Sequence, residues 1–311
     1  MNDKHFYNEK GELVTEVPCS SKEGMRPLRI TDVPKLKLYP SPTTIISDVR
    51  STPYMLTRWG ENIIKDKCFE AYYKVANKNN TSQIHKLETK LKFLENVNKE
   101  IQKEKDIAPD IGKKVHAACE CVFDPNFPKK DKERIKDTNV LVDLRPVRLG
   151  VFVDAVERYL KKNKLNSLCS EQTFSNRHFR FTGTIDSLCV DLDFWLNLID
   201  VKTAKTKPGE KVFEKESYLL QLAAYSKLID IKRDTYNQYI DIFSSTSQKS
   251  RFFGAKGIRG AKILVLSKTE PGRLDAIEYS KEELDSAFDA FMGMYEAWKF
   301  IYKKPLKGWL S

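Results

Sequence analysis

Asp186, Asp200 and Lys202 are the residues whose types and spacing best support chemistry in this chain. Asp186 ends the run Gly183-Thr184-Ile185-Asp186, and the other two lie in Leu198-Ile199-Asp200-Val201-Lys202-Thr203. Both runs read as strands, and Asp191-Leu192-Asp193 between them reads as the tip of a hairpin. A hairpin folded about Asp193 sets Asp186 directly opposite Asp200, and residues directly opposite on antiparallel strands point to one face. Lys202 lies two residues beyond Asp200 and shares that face. The register carries this argument, because a slip of one residue turns one carboxylate to the other side.

Such a patch suits hydrolysis of a phosphodiester. Hard carboxylate oxygens bind Mg²⁺ or Mn²⁺, which keep waters for chemistry. The cation polarises phosphoryl oxygens and lowers the pKa of a bound water. A lysine beside it orients that water and offsets charge developing at phosphorus. The Val201 carbonyl, flanked by Asp200 and Lys202, is a further candidate ligand, and Glu171 on the preceding strand completes the acidic set. Asp-x-Lys alone is common on exposed amphipathic strands. Here, however, Asp200 interrupts the apolar pattern Leu196-x-Leu198-Ile199-x-Val201, where a carboxylate is costly unless compensated.

The elements that must position these residues follow from periodicity. A small hairpin about Lys10-Gly11 is expected near the start. Tyr39-Pro40-Ser41-Pro42-Thr43-Thr44 supplies hydroxyl caps and a first-turn proline for a helix from about Thr43. Further helices are expected over Pro53–Ala76, Ser82–Lys105, Ile111–Val122 (carrying His116), Pro146–Lys162, Ser217–Asp230 and Ser280–Tyr302. Pro125–Lys136 reads as a solvated loop and first turn. Strands are expected over Cys169–Phe174, His178–Val190, Trp195–Thr203, Tyr236–Ser244 and Ala261–Ser267, with a basic, glycine-rich loop over Gln248–Gly260. Trp195–Thr203 is rich in apolar residues on both faces, as a buried strand should be. The fold class is α/β, a small central mixed sheet flanked by helices. Residues 1–38 read as an N-terminal extension, 39–165 as a helical portion, and 166–311 as the core that bears the acidic patch, the last two forming one compact unit.

At 311 residues with 41% hydrophobic content, the chain can bury a substantial core. The net charge of +11 favours a polyanionic partner. No apolar run is long enough to cross a bilayer, and no apolar segment follows the first residues, so a cytoplasmic, membrane-free protein is expected. Six cysteines without paired metal-ligand spacing read as reduced thiols.

With these motifs in order, a resemblance appears. Gly183-Thr184-Ile185-Asp186, Asp200-Val201-Lys202-Thr203 and Gln221-x-x-x-Tyr225 resemble the ordered motifs of the PD-(D/E)xK nucleases, in particular the RecB-like exonuclease branch, which the Gln-x-x-x-Tyr element distinguishes. His116 resembles the branch's upstream helical histidine. Tyr39–Thr44 is similar to an N-terminal segment of phage exonucleases and of the mitochondrial genome-maintenance exonuclease. The resemblance spans residues 39 to 225. It implies a restriction-endonuclease-like core with a metal site from Asp186, Asp200 and the Val201 carbonyl, Lys202 as catalytic lysine and His116 nearby. Gln221 and Tyr225, one helical turn apart, face the strands and the DNA. It also hints at a place in DNA recycling or repair.

Some relatives hold an iron–sulfur cluster with three cysteines near the C-terminus, but no cysteine follows Cys189, so no such cluster is expected. No phosphate-binding Gly-x-x-x-x-Gly-Lys loop is present either, so no nucleotide cofactor is expected. The expected function is metal-dependent DNA exonucleolysis by a monomer that prefers single strands. The alternatives are a structure-selective endonuclease of the same fold and an inactive DNA-binding or recombination accessory protein. Phosphates would be held by basic side chains and bases by aromatic stacking. The candidates are Tyr54, Arg58, Trp59 and Thr203, with Arg251, Phe252, Phe253, Lys256 and Arg259 in the basic loop.

Overall fold

The computed structural model describes residues 4–19, 23–50, 111–142, 145–176, 178–212, 214–229 and 246–302. Two compact units are present, residues 1–49 with 114–311, and residues 50–113. Of the second, residues 50 and 111–113 are described, all helical.

In chain order the elements are β1 (Phe6–Tyr7), β2 (Glu16–Pro18), β3 (Met25–Pro27), β4 (Tyr39–Pro40), α1 (42–50), α2 (111–123), α3 (Lys129–Asp137), β5 (Asn139–Val142), β6 (Arg145–Arg148), α4 (Gly150–Lys162), β7 (Asn166–Asn176), β8 (Phe181–Val190), β9 (Leu196–Ala204), α5 (Glu216–Leu228), α6 (Thr246–Phe253), β10 (Ile258–Ser267), β11 (Leu274–Ser280) and α7 (Lys281–Ile301). The fold is mixed α/β, as expected. Its central sheet has five strands in the order β11-β10-β9-β8-β7. Neighbours are antiparallel except β9 and β10, which run parallel.

Sequence patterning explains the central strand. β9 lies between β8 and β10, and Leu196–Val201 are all buried, which is why apolar residues face both sides of it. α5 packs on β7 to β10 and against α7. α7 starts with a reciprocal cap: Glu283 N–H donates to Ser280 Oγ at 3.2 Å, and Ser280 N–H to the Glu283 carboxylate at 2.7 Å. It buries Phe288, Phe291, Tyr295 and Trp298 in the main core. Ser41 accepts the Thr44 N–H at 3.0 Å at the start of α1, the hydroxyl cap that Ser41-Pro42 predicts. The hairpin about Lys10-Gly11 is present, with Val14 N–H donating to Phe6 O at 2.8 Å and Gly11 at φ +80°. Residues 1–38 contribute Phe6, Val33 and Leu38 to the main core.

The β8–β9 hairpin pairs Ser187 with Ile199, Leu188 with Leu198, Cys189 with Asn197 and Val190 with Leu196. That is the register of a hairpin folded about Asp193, and its continuation sets Asp186 opposite Asp200. Asp191 shapes the turn, its Oδ1 accepting the N–H groups of Asp193 and Trp195 at 3.0 and 2.9 Å.

Several elements differ from expectation. Lys129–Asp137 is a helix with no buried residue, held to α4 by Lys132 and Lys136, which both reach Glu157. Residues 145–148 form a strand where a helix was expected from Pro146. The proline, without an N–H, is accommodated in a two-stranded ribbon, and α4 starts at Gly150. β11 was not anticipated, because its sequence Leu-Asp-Ala-Ile-Glu-Tyr-Ser carries the charges of an edge strand. Residues 246–253 are helical, not loop. The helices expected over Pro53–Ala76 and Ser82–Lys105 and the strand expected over Tyr236–Ser244 lie outside the described residues. Among the described residues no helix is long and apolar enough to cross a membrane.

Candidate metal centre and active site

Five elements converge on one patch. β8 supplies Asp186, β9 supplies Asp200 and Lys202, β7 supplies Glu171, α2 supplies His116, and α5 supplies Gln221 and Tyr225. Ser170 pairs with Ser187 and Gln172 with Ile185, so the register sets Glu171 across from Asp186. Glu171 has φ +50°, a left-handed conformation that a non-glycine residue holds only when its surroundings fix it, at a cost of about 1–3 kcal/mol.

The contacts are short. His116 Nε2 lies 2.6 Å from Asp186 Oδ2, and its Nδ1 lies 3.5 Å from Glu171 Oε1. Asp186 Oδ2 also accepts the Val201 N–H at 2.8 Å. Asp200 is 1% exposed. Lys202 Nζ donates to Asp200 Oδ1 at 2.8 Å and lies 2.6 Å from Oδ2. Gln221 Nε2 donates to Asp200 Oδ1 at 3.3 Å and to the Tyr225 hydroxyl at 3.0 Å. The helical spacing of Gln221 and Tyr225 therefore does two jobs: the amide steadies the carboxylate, and the ring packs on the sheet.

These groups shift one another's ionisation. Burial and the charge of Asp186 push the Glu171 carboxyl up to about 7, against the pull of His116. Burial and the Asp186 charge likewise raise Asp200, against the pull of Lys202. Burial opposes ionisation of Asp186 too, but the His116 hydrogen bond and the Lys202 charge hold it below the usual carboxylate range. Burial disfavours the His116 imidazolium, yet the Asp186 hydrogen bond and the charges of Asp186 and Glu171 push it up to about 9. Burial opposes the Lys202 ammonium as well, and Asp200 and Asp186 more than offset that.

The donor set fits a divalent cation. His116, Glu171 and Asp186 bring one ligand atom each to within 4.8 Å of one another. Glu171 Oε1 and Asp200 Oδ2 are buried oxygens whose only partners are ion pairs, to His116 Nδ1 at 3.5 Å and to Lys202 Nζ at 2.6 Å. Crowding three carboxylates in a buried site is costly, and a hard cation among carboxylate oxygens relieves that cost.

Two of the nucleic-acid candidates of the basic segment have partners within the protein, Phe252 in the core and Arg259 at the hairpin tip. Phe252 is 1% exposed and packs in the core, which removes it as a stacking residue. The helical period of α6 turns it inward with Gln248, whose amide donates to Leu168 O at 3.0 Å. Arg259 pairs with Asp191 at 2.8 Å and Asp193 at 3.5 Å. Lys256 is exposed, with its Nζ 5.9 Å from the centre of the Trp195 ring. Both sit at the hairpin tip, five residues or about 17 Å along β8 from Asp186. Arg251 is exposed on α6, and Phe253 closes that helix. Thr203 is half-buried and, by strand alternation, on the face opposite Lys202. Tyr54, Arg58 and Trp59 lie outside the described residues.

Two neighbours escaped sequence reasoning. Glu120, one turn beyond His116, brings its carboxylate to 4.0 Å from Nδ1, and its i,i+4 spacing was the available signal. Tyr7, from β1, sets its hydroxyl 3.4 Å from Thr184 Oγ1. Nothing local marks a residue so distant in the chain.

No protein-family model and no curated protein matches the chain. Solved structures give weak, partial likenesses. One is SSO0001, at 14% identity and a TM-score of 0.25, over 50% of this chain and 59% of that one. Another is an alkaline exonuclease from Laribacter hongkongensis, at 11% identity and a TM-score of 0.23, over 50% of this chain and 70% of that one. The chain thus covers little more than half the length of the first.

Proposed function

We propose that this protein is a metal-dependent deoxyribonuclease, an exonuclease that prefers single-stranded DNA. The observation that carries the reading is the meeting of Asp186, Asp200, Glu171, His116 and Lys202 in one patch, where two buried carboxylate oxygens have only ion pairs as partners. Mg²⁺ or Mn²⁺ held by Asp186, Asp200, Glu171, His116 and the Val201 carbonyl would supply polarisation of the phosphoryl oxygens and a water of lowered pKa. The chain's own residues do the rest. Lys202 orients the attacking water and offsets the charge that builds on the phosphoryl oxygens. Gln221 holds the Asp200 carboxylate, and His116 holds Asp186. The water oxygen bonds to phosphorus while one ester P–O bond breaks. The attacking water gives up a proton to solvent, and the departing oxygen takes one from solvent, leaving a phosphomonoester and a free hydroxyl. The net charge of +11 supports a polyanionic substrate, and the preference for DNA, for single strands and for ends is supported by the motif resemblance alone.

The test is a time course with Mn²⁺ on end-labelled linear and on circular DNA, single- and double-stranded. Loss of linear single strands with persistence of circles is expected. Intact DNA in every lane overturns the reading.

A further inference from the structure

The segment that follows β9 carries three exposed lysines, Lys205, Lys207 and Lys211, which no step of the proposed reaction uses. Lys205 is three residues beyond Lys202, about 10 Å along an extended chain. A fourth exposed lysine, Lys215, stands just before α5, the helix that brings Gln221 to Asp200. One acid lies among the first three, Glu210, at 3.6 Å from Lys207. Both partners are exposed, so that pair contributes little.

A lysine-rich segment without regular structure would ordinarily be loose, but this one is braced. Pro208-Gly209 makes a tight turn, with Gly209 at φ +75° and Glu210 N–H donating to Lys207 O at 3.2 Å. The Arg273 guanidinium donates to two carbonyls of the segment, Lys207 O (at 3.1 Å) and Glu210 O. Glu270 and Asp275 hold that guanidinium in turn. Upstream, Thr206 N–H donates to Thr269 Oγ1 at 3.1 Å, Thr269 Oγ1 donates back to Thr206 O at 2.6 Å, and Thr206 Oγ1 meets the buried Ser267 Oγ at 2.6 Å. Lys268 N–H reaches Ala204 O at 2.8 Å. These bonds carry the β9–β10 pair beyond its last ladder rung as a rigid shelf.

We infer that this shelf is a phosphate-backbone rail: Lys205, Lys207 and Lys211 hold the nucleic-acid strand that enters the Asp200–Lys202 site, and Arg273 is the positioning residue that fixes the rail. The inference rests on the nuclease reading for its orientation toward the site, but the binding it claims is tested without cleavage. A braced backbone leaves only the lysine side chains to be ordered when a polyanion binds, so less conformational entropy is lost than on a loose segment.

The experiment is fluorescence anisotropy of a fluorescein-labelled oligothymidylate, titrated over a range of KCl with the full chain. The K205Q/K207Q/K211Q variant changes only exposed side chains, so its Tm should stay near that of the parent. It is expected to bind at least about tenfold more weakly at low salt, with a log–log salt slope shallower by about 2, since each lost single-strand contact removes about 0.7. Arg273→Lys keeps the charge but cannot hold both carbonyls. It is expected to weaken binding several-fold at an unchanged salt slope. Unchanged affinity and slope in the triple variant, or no oligothymidylate binding by the parent, overturns the rail, and unchanged affinity in Arg273→Lys overturns the brace. Cleavage with Mn²⁺ is scored on the same preparations. A parent that binds through the rail and does not cut leaves the rail standing and removes the nuclease reading.

Discussion

Tyr225 lays its ring on the backbone of Gly183: a Cβ at position 183 would sit 2.6 Å from Tyr225 Cε1 and 3.1 Å from Leu228 Cδ1. The glycine that opens Gly-Thr-Ile-Asp and the tyrosine that closes Gln-x-x-x-Tyr are thus two halves of one contact. It sets how closely α5 approaches β8, and so whether Gln221, one turn before Tyr225, reaches Asp200. Gly183→Ala forces that helix outward. A stability loss of about 1–3 kcal/mol is expected from overpacking, together with a fall in cleavage of tenfold or more. Thermal melts and end-label assays on the same variant check both. Unchanged activity would show that α5 does not position the site.

Lys202→Ala is expected to reduce cleavage by about 10²–10³-fold or more, while oligonucleotide affinity stays within a few-fold of the parent. The variant also strips the 1%-exposed Asp200 of its ion-pair partner. That carboxyl, already raised by burial and by Asp186, should then take up a proton and stay neutral, since an unpaired buried charge is more costly. Parallel binding and cleavage assays separate the two effects, and retained cleavage removes Lys202 from its assigned role.

The centre of the site was legible because it is local. The Asp186–Asp200 juxtaposition needs only a hairpin tip and a period of two, and the structure keeps the register that folding about Asp193 requires. Gln221 and Tyr225 needed only a helical turn. What failed was long-range. Phe252 sits in a basic, glycine-flanked stretch that reads as exposed, and its burial depends on α6 packing on a sheet formed largely from earlier residues. Arg259 has ion-pair partners, Asp191 and Asp193, that only the hairpin tip brings to it. β11 hides behind its edge-strand charges, and Tyr7 reaches the site from the other end of the chain.

Chelation by EDTA is expected to abolish cleavage, and excess Mg²⁺ or Mn²⁺ to restore it. The same treatment should lower Tm, because the carboxylates of Glu171, Asp186 and Asp200 lose the cation that offsets their mutual repulsion. Cleavage that persists in chelator would mean chemistry independent of this acidic cluster.

The last expectation concerns pH. In the metal-free protein Glu171 is raised to about 7 and His116 to about 9, and Asp200 is also raised by burial and by Asp186. Each group binds its proton more tightly folded than unfolded. All three therefore favour folding at low pH, and that contribution is lost as pH climbs through the folded values, from about 7 for Glu171 to about 9 for His116. A cation needs the same groups deprotonated, so its affinity runs the other way, rising with pH by up to about tenfold per unit for each proton displaced. The increase in Tm produced by saturating Mn²⁺ should accordingly grow between pH of about 6 and about 9. Differential scanning fluorimetry with and without Mn²⁺ across that range reads the difference directly and cancels titrating groups elsewhere in the protein. A Mn²⁺-induced shift that stays level would mean that His116 and Glu171 give up no proton to the cation, and would take both out of its coordination.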